Sequence, residues 1–327
     1  MLKKIRFKKN CFIAIVLLLP FMAVAQQPDT LIQKLDSLKQ KKDTTGQINN
    51  INRSNYNENT KINVPVYFTL LVDDIKQQVT APFHLEGKEW WRVGEFALLT
   101  GAVAFADEPL QRTALRLRNR SSTVRTVSRY VTNFGGLYEG YTLAALGAYG
   151  FLFKSEKVKT TTLLATQAYI TAGTIESLLK FLSGRQRPSY YDPNAIEAKP
   201  TFHGPFYKTG DPVNGNKLNS SFPSGHTTVA FAAATVYAME YRDRPLVPII
   251  SYSAATLIGL SRITENKHWA TDVLVGAALG YLCGKQVVNN YHRYAEIQNH
   301  KKKTGTLSFQ LSYLNGTLLP GVVYKFK

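Results

Sequence analysis

Apolar positions along the chain gather into six runs, at about residues 91–106, 135–153, 160–182, 224–240, 245–260 and 268–288, separated by polar or glycine- and proline-rich stretches. Each run is long enough for several helical turns. Glycine, alanine and threonine recur within them, as expected where helices approach closely. The pattern predicts an all-α architecture, a six-helix bundle. Residues 62–88 hold a shorter apolar patch, VPVYFTLLV, expected to pack along that bundle. Near the C-terminus the period changes to two. Leu307, Phe309, Leu311 and Tyr313 alternate with polar residues, Asn315-Gly316 marks a turn, and LLPGVVYKF follows, which predicts a short C-terminal β-hairpin.

The N-terminus carries a different signature. Lys3, Lys4, Arg6, Lys8 and Lys9 precede an apolar run from Cys11 to Met22, and Ala23-Val24-Ala25 has the small-x-small form of a cleavage site. This reads as an export signal removed before Gln26, with a retained anchor as the alternative. Residues 26–60 are polar apart from Leu31, Ile32, Leu35 and Leu38, which suggests a short amphipathic helix and a flexible linker. The expected division is 1–25 signal peptide, 26–88 polar linker and packing segment, 89–295 helical domain, and 304–327 hairpin tail.

Charge narrows the choice of partner. Forty lysines and arginines against 22 acidic residues give a formal charge of +18, or +13 without the five signal-peptide cations. Arg112, Arg116, Arg118, Arg120, Arg125 and Arg129 fall in what reads as a connecting segment, and no nucleic-acid-binding motif accompanies them. An anionic membrane surface or phosphorylated lipid is therefore the expected partner, rather than nucleic acid; solvated loop charge is the plainer alternative. The two cysteines supply no useful disulfide if Cys11 leaves with the signal. A mean hydropathy of −0.17 and the interruptions at Glu95, Glu139 and Glu176 argue against six full membrane crossings. The expectation is an exported, periplasmic domain associated with a membrane face, with full insertion as the alternative.

Three blocks carry the candidate chemistry: Lys180-FLSGRQ-Arg187-Pro188, Pro223-Ser224-Gly225-His226, and Ser261-Arg262-ITENK-His268-WAT-Asp272. Lys180, Arg187 and Arg262 can neutralise a phosphate and the charge that spreads over its oxygens as the P–O bond breaks. Pro223 suits a first helical position, so FPSGHTT is expected to open a helix whose amides face an anion, with Gly225 allowing close approach. Two histidines can divide the rest, one attacking phosphorus and one protonating the leaving alkoxide. Asp272 lies four residues after His268, so if that stretch is helical the carboxylate can accept the Nδ1–H and orient the ring. This assigns His268 as nucleophile, His226 as general acid and Asp272 as orienter, with Lys180, Arg187, Ser224, Gly225 and Arg262 binding phosphate and no metal.

Together these blocks resemble the signature of the type 2 phosphatidic acid phosphatase (PAP2) and haloperoxidase superfamily, across roughly residues 90–290. The resemblance implies a PAP2-like helical bundle. It also implies metal-independent hydrolysis of a phosphomonoester or pyrophosphate through a phosphohistidine, with no cofactor and with vanadate as an inhibitor. Substrates implied are phosphorylated lipids or small phosphoesters. A vanadium-dependent haloperoxidase would use the same pocket, and a non-enzymatic envelope interaction module would work through the linker and hairpin. Between the first two blocks, residues 189–221 form a long loop whose Tyr190, Tyr191, Phe202, Phe206 and Tyr207 either line the leaving-group pocket, touch lipid, or fasten the loop to the bundle; His203 reads as surface.

Overall fold

The computed structural model describes residues 62–206, 220–303, 306–314 and 317–325. The expected signal peptide and linker, and Tyr207 of the long loop, lie outside the described residues. Nine α-helices are present among them, not six: α1 (Val64–Thr80), α2 (Gly87–Phe105), α3 (Asp107–Arg120), α4 (Ser122–Phe134), α5 (Leu137–Leu152), α6 (Glu156–Ser183), α7 (Gly225–Glu240), α8 (Leu246–Thr264) and α9 (Ala270–Lys303). The six apolar runs correspond to α2 and α5 to α9. The other three escaped the apolar count because their helical faces are short or polar.

Helix α3 explains the discrepancy. Its inward positions include Asp107, Gln111 and Arg118, all buried, so a hydrophobic pattern does not register. The arginine cluster expected in a connecting segment lies instead on α3 and α4. Helix α1 starts at Asn63, whose side chain accepts the Val66 N–H at 3.0 Å. It buries Leu70 and Leu71, and Gln167 of α6 donates to its Tyr67 carbonyl at 2.8 Å.

The main core is shared by α6, α7 and α9. Leu164, Ala165, Ala168 and Ala172 meet Ala232 and Val236, and these meet Cys283, Val287, Val288 and Tyr291. Small residues set the spacing. Gly276, Gly280 and Gly284 recur every four residues along α9 and so share one face. A Cβ at these positions would stand 2.8 Å from Ser224 O, 2.1 Å from Thr228 O and 2.5 Å from Ala232 O. Helix α9 therefore runs backbone to backbone against α7, which brings the start of each helix to the same end of the bundle.

Strands β1 (Thr306–Leu314) and β2 (Thr317–Lys325) pair antiparallel, with Thr306 opposite Lys325 and Leu314 opposite Thr317. The expected Asn315-Gly316 turn lies outside the described residues.

Candidate active site

The three sequence blocks occupy helix ends. Lys180 lies in the last turn of α6, which stops at Gly184 in the left-handed region (φ +54). There a Cβ would meet Gly204 O at 2.2 Å, so glycine both ends the helix and admits the returning loop. Arg187 lies beyond that turn. Ser224 caps α7, while Pro223 precedes the cap and is not the first helical residue expected. Thr228 N–H is the first on α7 to bond back, to Ser224 O at 2.9 Å, so the amides of Gly225, His226 and Thr227 come before the first intrahelical bond. Arg262 closes α8, and His268 stands in the short connection before α9.

These ends converge. A Cβ on Gly225 would lie 3.2 Å from Lys180 Nζ, and one on Gly136, just before α5, would lie 3.1 Å from His226 Nε2. Burial, then Arg262, Lys180 and Arg187, push the His226 imidazole down to about 3. Burial, then Arg187, Arg262, Lys180 and His226, hold His268 well below the ordinary histidine value. Both rings thus feel the same three cations, which together with burial favour their neutral forms. Burial and Arg187 together bring Arg262 down to about 10, which leaves it charged at neutral pH. Arg262 is held by Thr132 Oγ1 at 2.7 Å and Lys180 by Glu176, while Arg187 reaches Ser220 O at 3.4 Å.

The hydroxyl of Ser224 is fully buried and accepts from Thr227 Oγ1 at 2.9 Å, and its N–H donates to Asp272 O at 3.0 Å. His268 is 1% exposed, whereas His226 is partly exposed.

Asp272 does not have the expected hydrogen bond to His268. Its Oδ2 is 3.6 Å from Nδ1, and Nδ1 instead lies 2.7 Å from the carbonyl oxygen of Ser221. The cause is local: α9 begins at Ala270, so His268 is outside the helix and the four-residue spacing does not put the two side chains on one helical face. A carbonyl oxygen only accepts, so Nδ1 carries the proton and Nε2 is left with its lone pair. Asp272 sits in the first turn of α9. Its carboxylate accepts Trp269 N–H (2.8 Å), the Ser221 hydroxyl (2.5 Å) and Arg185 Nη1 (2.6 Å).

Arg185 and Asp107 were not singled out in the sequence. The one available signal was a second arginine in GRQRP, two residues before Arg187. Of the long loop, Phe202 covers the Arg185 guanidinium at 4.7 Å and meets Phe222 edge-on at 5.4 Å, which is a fastening role. Trp269 Nε1 donates to Gln186 O at 2.8 Å, and Asn266 Nδ2 donates to Ala195 O at 2.6 Å. His203 Nε2 lies 3.0 Å from Thr201 Oγ1, in the strip of loop that bonds to Ser183 and Gln186. A groove of about 490 Å³, lined by Phe134, Tyr138, Tyr141, Ala145, Leu146 and Tyr149 among others, runs along α5 from beside Gly136.

Residues 161–295 match the PAP2 superfamily. The lipid A 1-phosphatase of Porphyromonas gingivalis is 51% identical over 67 residues, covering 20% of this chain and 15% of that protein. The lipid A 1-phosphatase of Rhizobium johnstonii is 27% identical over 169 residues, covering 48% of this chain and 64% of that one. A crystal structure of Aquifex aeolicus LpxE superposes with a TM-score of 0.41 at 27% identity, covering 56% of this chain and 94% of that one. The chain spans less than two thirds of the length of these curated relatives. The match to the PAP2 superfamily over residues 161–295 takes in all three blocks.

Proposed function

We propose that this chain is a lipid phosphatase that hydrolyses a phosphomonoester or pyrophosphate through a phosphohistidine on His268. The observation that carries the reading is the Nδ1–H of His268 held at 2.7 Å on Ser221 O, in a site whose cations act on both imidazoles. A neutral ring with its Nε2 free is the protonation state a nucleophile requires.

In this reading the substrate phosphate sits among Lys180, Arg187, Arg262 and the first amides of α7, which stabilise charge on its non-bridging oxygens. Ser224 Oγ accepts from Thr227 and so keeps its own O–H to donate to the phosphate, while its amide is held by Asp272 O. Binding of the anion offsets the three cations that depress His226, so its imidazole gains a proton. His268 Nε2 attacks phosphorus, the P–O bond to the lipid breaks, and His226 gives its proton to the departing oxygen. His226, now neutral, takes a proton from water; the hydroxide attacks phosphorus, the P–N bond breaks, and inorganic phosphate leaves. The burial of His268 and the partial exposure of His226 suit this division, since the leaving lipid must exit the site.

The relatives named above are lipid A 1-phosphatases, which favours a phosphorylated lipid over a small phosphoester. Exposed apolar surface favours association with a membrane. Helix α2 has no buried residue and presents Trp90, Trp91, Leu98 and Phe105 outward. The aromatic groove on α5 offers apolar surface to an acyl chain attached to the phosphate. Helix α8 is the one described helix long and apolar enough to cross a membrane. Export to the periplasm is the location that fits the N-terminal signal.

The test is phosphate release by purified protein from a panel of lipid and water-soluble phosphoesters, in EDTA, with His268→Ala in parallel. Release from lipid substrates, inhibition by vanadate and an inactive His268→Ala are expected. Near-normal turnover by that variant would refute the nucleophile, and vanadate-dependent halide oxidation would select a haloperoxidase instead.

A further inference from the structure

Arg185 exposes 2% of its surface, deeper than any of the three phosphate-directed cations. Its Nη1 donates to Asp272 Oδ1 (2.6 Å) and Thr271 Oγ1 (2.5 Å), and its Nη2 donates to Asp107 Oδ2 (2.6 Å). Asp107 in turn accepts the Thr271 N–H at 3.0 Å and its hydroxyl at 2.6 Å. Both terminal nitrogens are committed to protein groups, and Phe202 and Phe222 lie over the guanidinium; Nε is buried without a hydrogen-bond partner.

The network closes on the nucleophile. The carbonyl of Arg185 accepts Ser221 N–H at 3.0 Å, and the Ser221 hydroxyl donates to Asp272 Oδ2 at 2.5 Å. Ser221 is thus gripped at its amide by the backbone of Arg185 and at its hydroxyl by the carboxylate that Arg185 holds. Its remaining polar group, the carbonyl, receives Nδ1–H of His268. Asp272 also takes the N–H of Trp269, the residue after His268, and passes its own carbonyl to Ser224 N–H at the cap of α7.

We propose that Arg185 is a positioning residue for His268: by bridging Asp107 on α3 to Asp272 on α9 it fixes Ser221 and the start of α9, and keeps the Asp272 carboxylate from turning to the imidazole. The inference rests on the nucleophile assigned above. It places in α3, outside the three sequence blocks, a carboxylate on which catalysis depends. The charges around His268 are Asp272 of α9, Arg187 and Lys180 from the α6 end, Arg262 of α8, and His226 of α7. Removing Arg185 takes away a cation that opposes proton uptake by the buried pair of Asp272 and His268, 3.6 Å apart, so the pair binds a proton at higher pH.

Two variants test this, Arg185→Lys and the double variant Arg185→Met with Asp107→Asn, the second chosen so that no buried carboxylate on α3 loses its cation and the chain can still fold. Turnover, vanadate inhibition, the pH profile of kcat/KM and the melting temperature are measured beside wild type and Arg187→Lys. Misplacing the nucleophile predicts that kcat falls about 100-fold in the double variant, with partial recovery in Arg185→Lys. Vanadate inhibition should stay within about threefold of wild type, whereas Arg187→Lys weakens it. The acid limb of kcat/KM should move up by about one pH unit in the double variant, because the neutral ring is the active form. Unchanged kcat in a folded variant, or vanadate inhibition lost as in Arg187→Lys, would overturn the proposal, the latter making Arg185 a phosphate ligand. If His268→Ala retains turnover the nucleophile itself is wrong, an outcome read from a separate variant.

Discussion

His268 gives its Nδ1 proton to the carbonyl oxygen of Ser221 at 2.7 Å, so a main-chain group selects the tautomer of this ring and the nearby carboxylate of Asp272 does not. A main-chain acceptor cannot be deleted by side-chain substitution or neutralised by pH. Asp272 contributes at one remove, through Ser221, Trp269 and Arg185.

Asp272→Asn should therefore lower kcat by roughly 10- to 100-fold without abolishing it, since the tautomer survives while its support loosens. His268→Ala should remove turnover completely. Steady-state rates of the two purified variants on one substrate check the contrast; equal loss in both would return Asp272 to direct contact.

The two depressed imidazoles make stability depend on pH. Each binds a proton more readily in the unfolded chain, with a value near 6.5, than in the fold, where His226 is held at about 3. Their contribution is full above about 6.5 and is lost as pH falls towards 3, at up to about 1.4 kcal/mol per pH unit for each ring. Asp107 and Asp272, raised by burial, act in the opposite sense above the ordinary carboxylate value. Sulfate separates the two effects, because a dianion among the three cations restores the imidazolium. The rise in melting temperature on adding sulfate should grow between pH 7 and pH 5; a constant rise would argue against an anion site beside both rings.

Glu176 holds Lys180 beside Gly225 and is itself buried, so an arriving phosphate must compete with a carboxylate for that ammonium. Glu176→Gln should tighten inhibition by inorganic phosphate by roughly three- to tenfold, removing a like charge from the anion site. Lys180→Met should weaken it. Inhibition constants for the two variants read this directly, and weaker binding in Glu176→Gln would show the carboxylate to be a support for Lys180 rather than a competitor.

Gly280 is the tightest contact of the stripe on α9, where a Cβ would stand 2.1 Å from Thr228 O. Gly280→Ala must push α9 off α7, at a cost of about 1–3 kcal/mol of stability. Activity should fall further than stability explains, because the same shift separates His268 from the amides of α7. Melting curves and kcat in the folded fraction check both, and a variant with native stability and rate would refute the close approach.

Much of this site is written in residue types at short range. Lys180, Arg187, His226, Arg262 and His268 were picked out because the proposed phosphate site needs cations and imidazoles, and the fold brings them to one end of the bundle. Helix α9 was legible as a helix but its first residue was not, and an error of two positions was enough to misplace the bond between His268 and Asp272. Helix α3 and Arg185 were missed for a related reason. Their inward groups are charged, and a buried ion network has no periodic apolar signature.

The order of apolar runs, the glycines every fourth residue on α9 and the three charged blocks are local properties, so the amino-acid sequence alone determined the helical class and the chemistry available. Which oxygen receives the Nδ1 proton of His268, and which carboxylates surround Arg185, depend on groups up to 164 residues apart, such as Asp107 and Thr271. Only the packing of α3, α7 and α9 against one another decided those, because hydrogen bonds of 2.5–3.0 Å are set by backbone positions that no short-range pattern encodes.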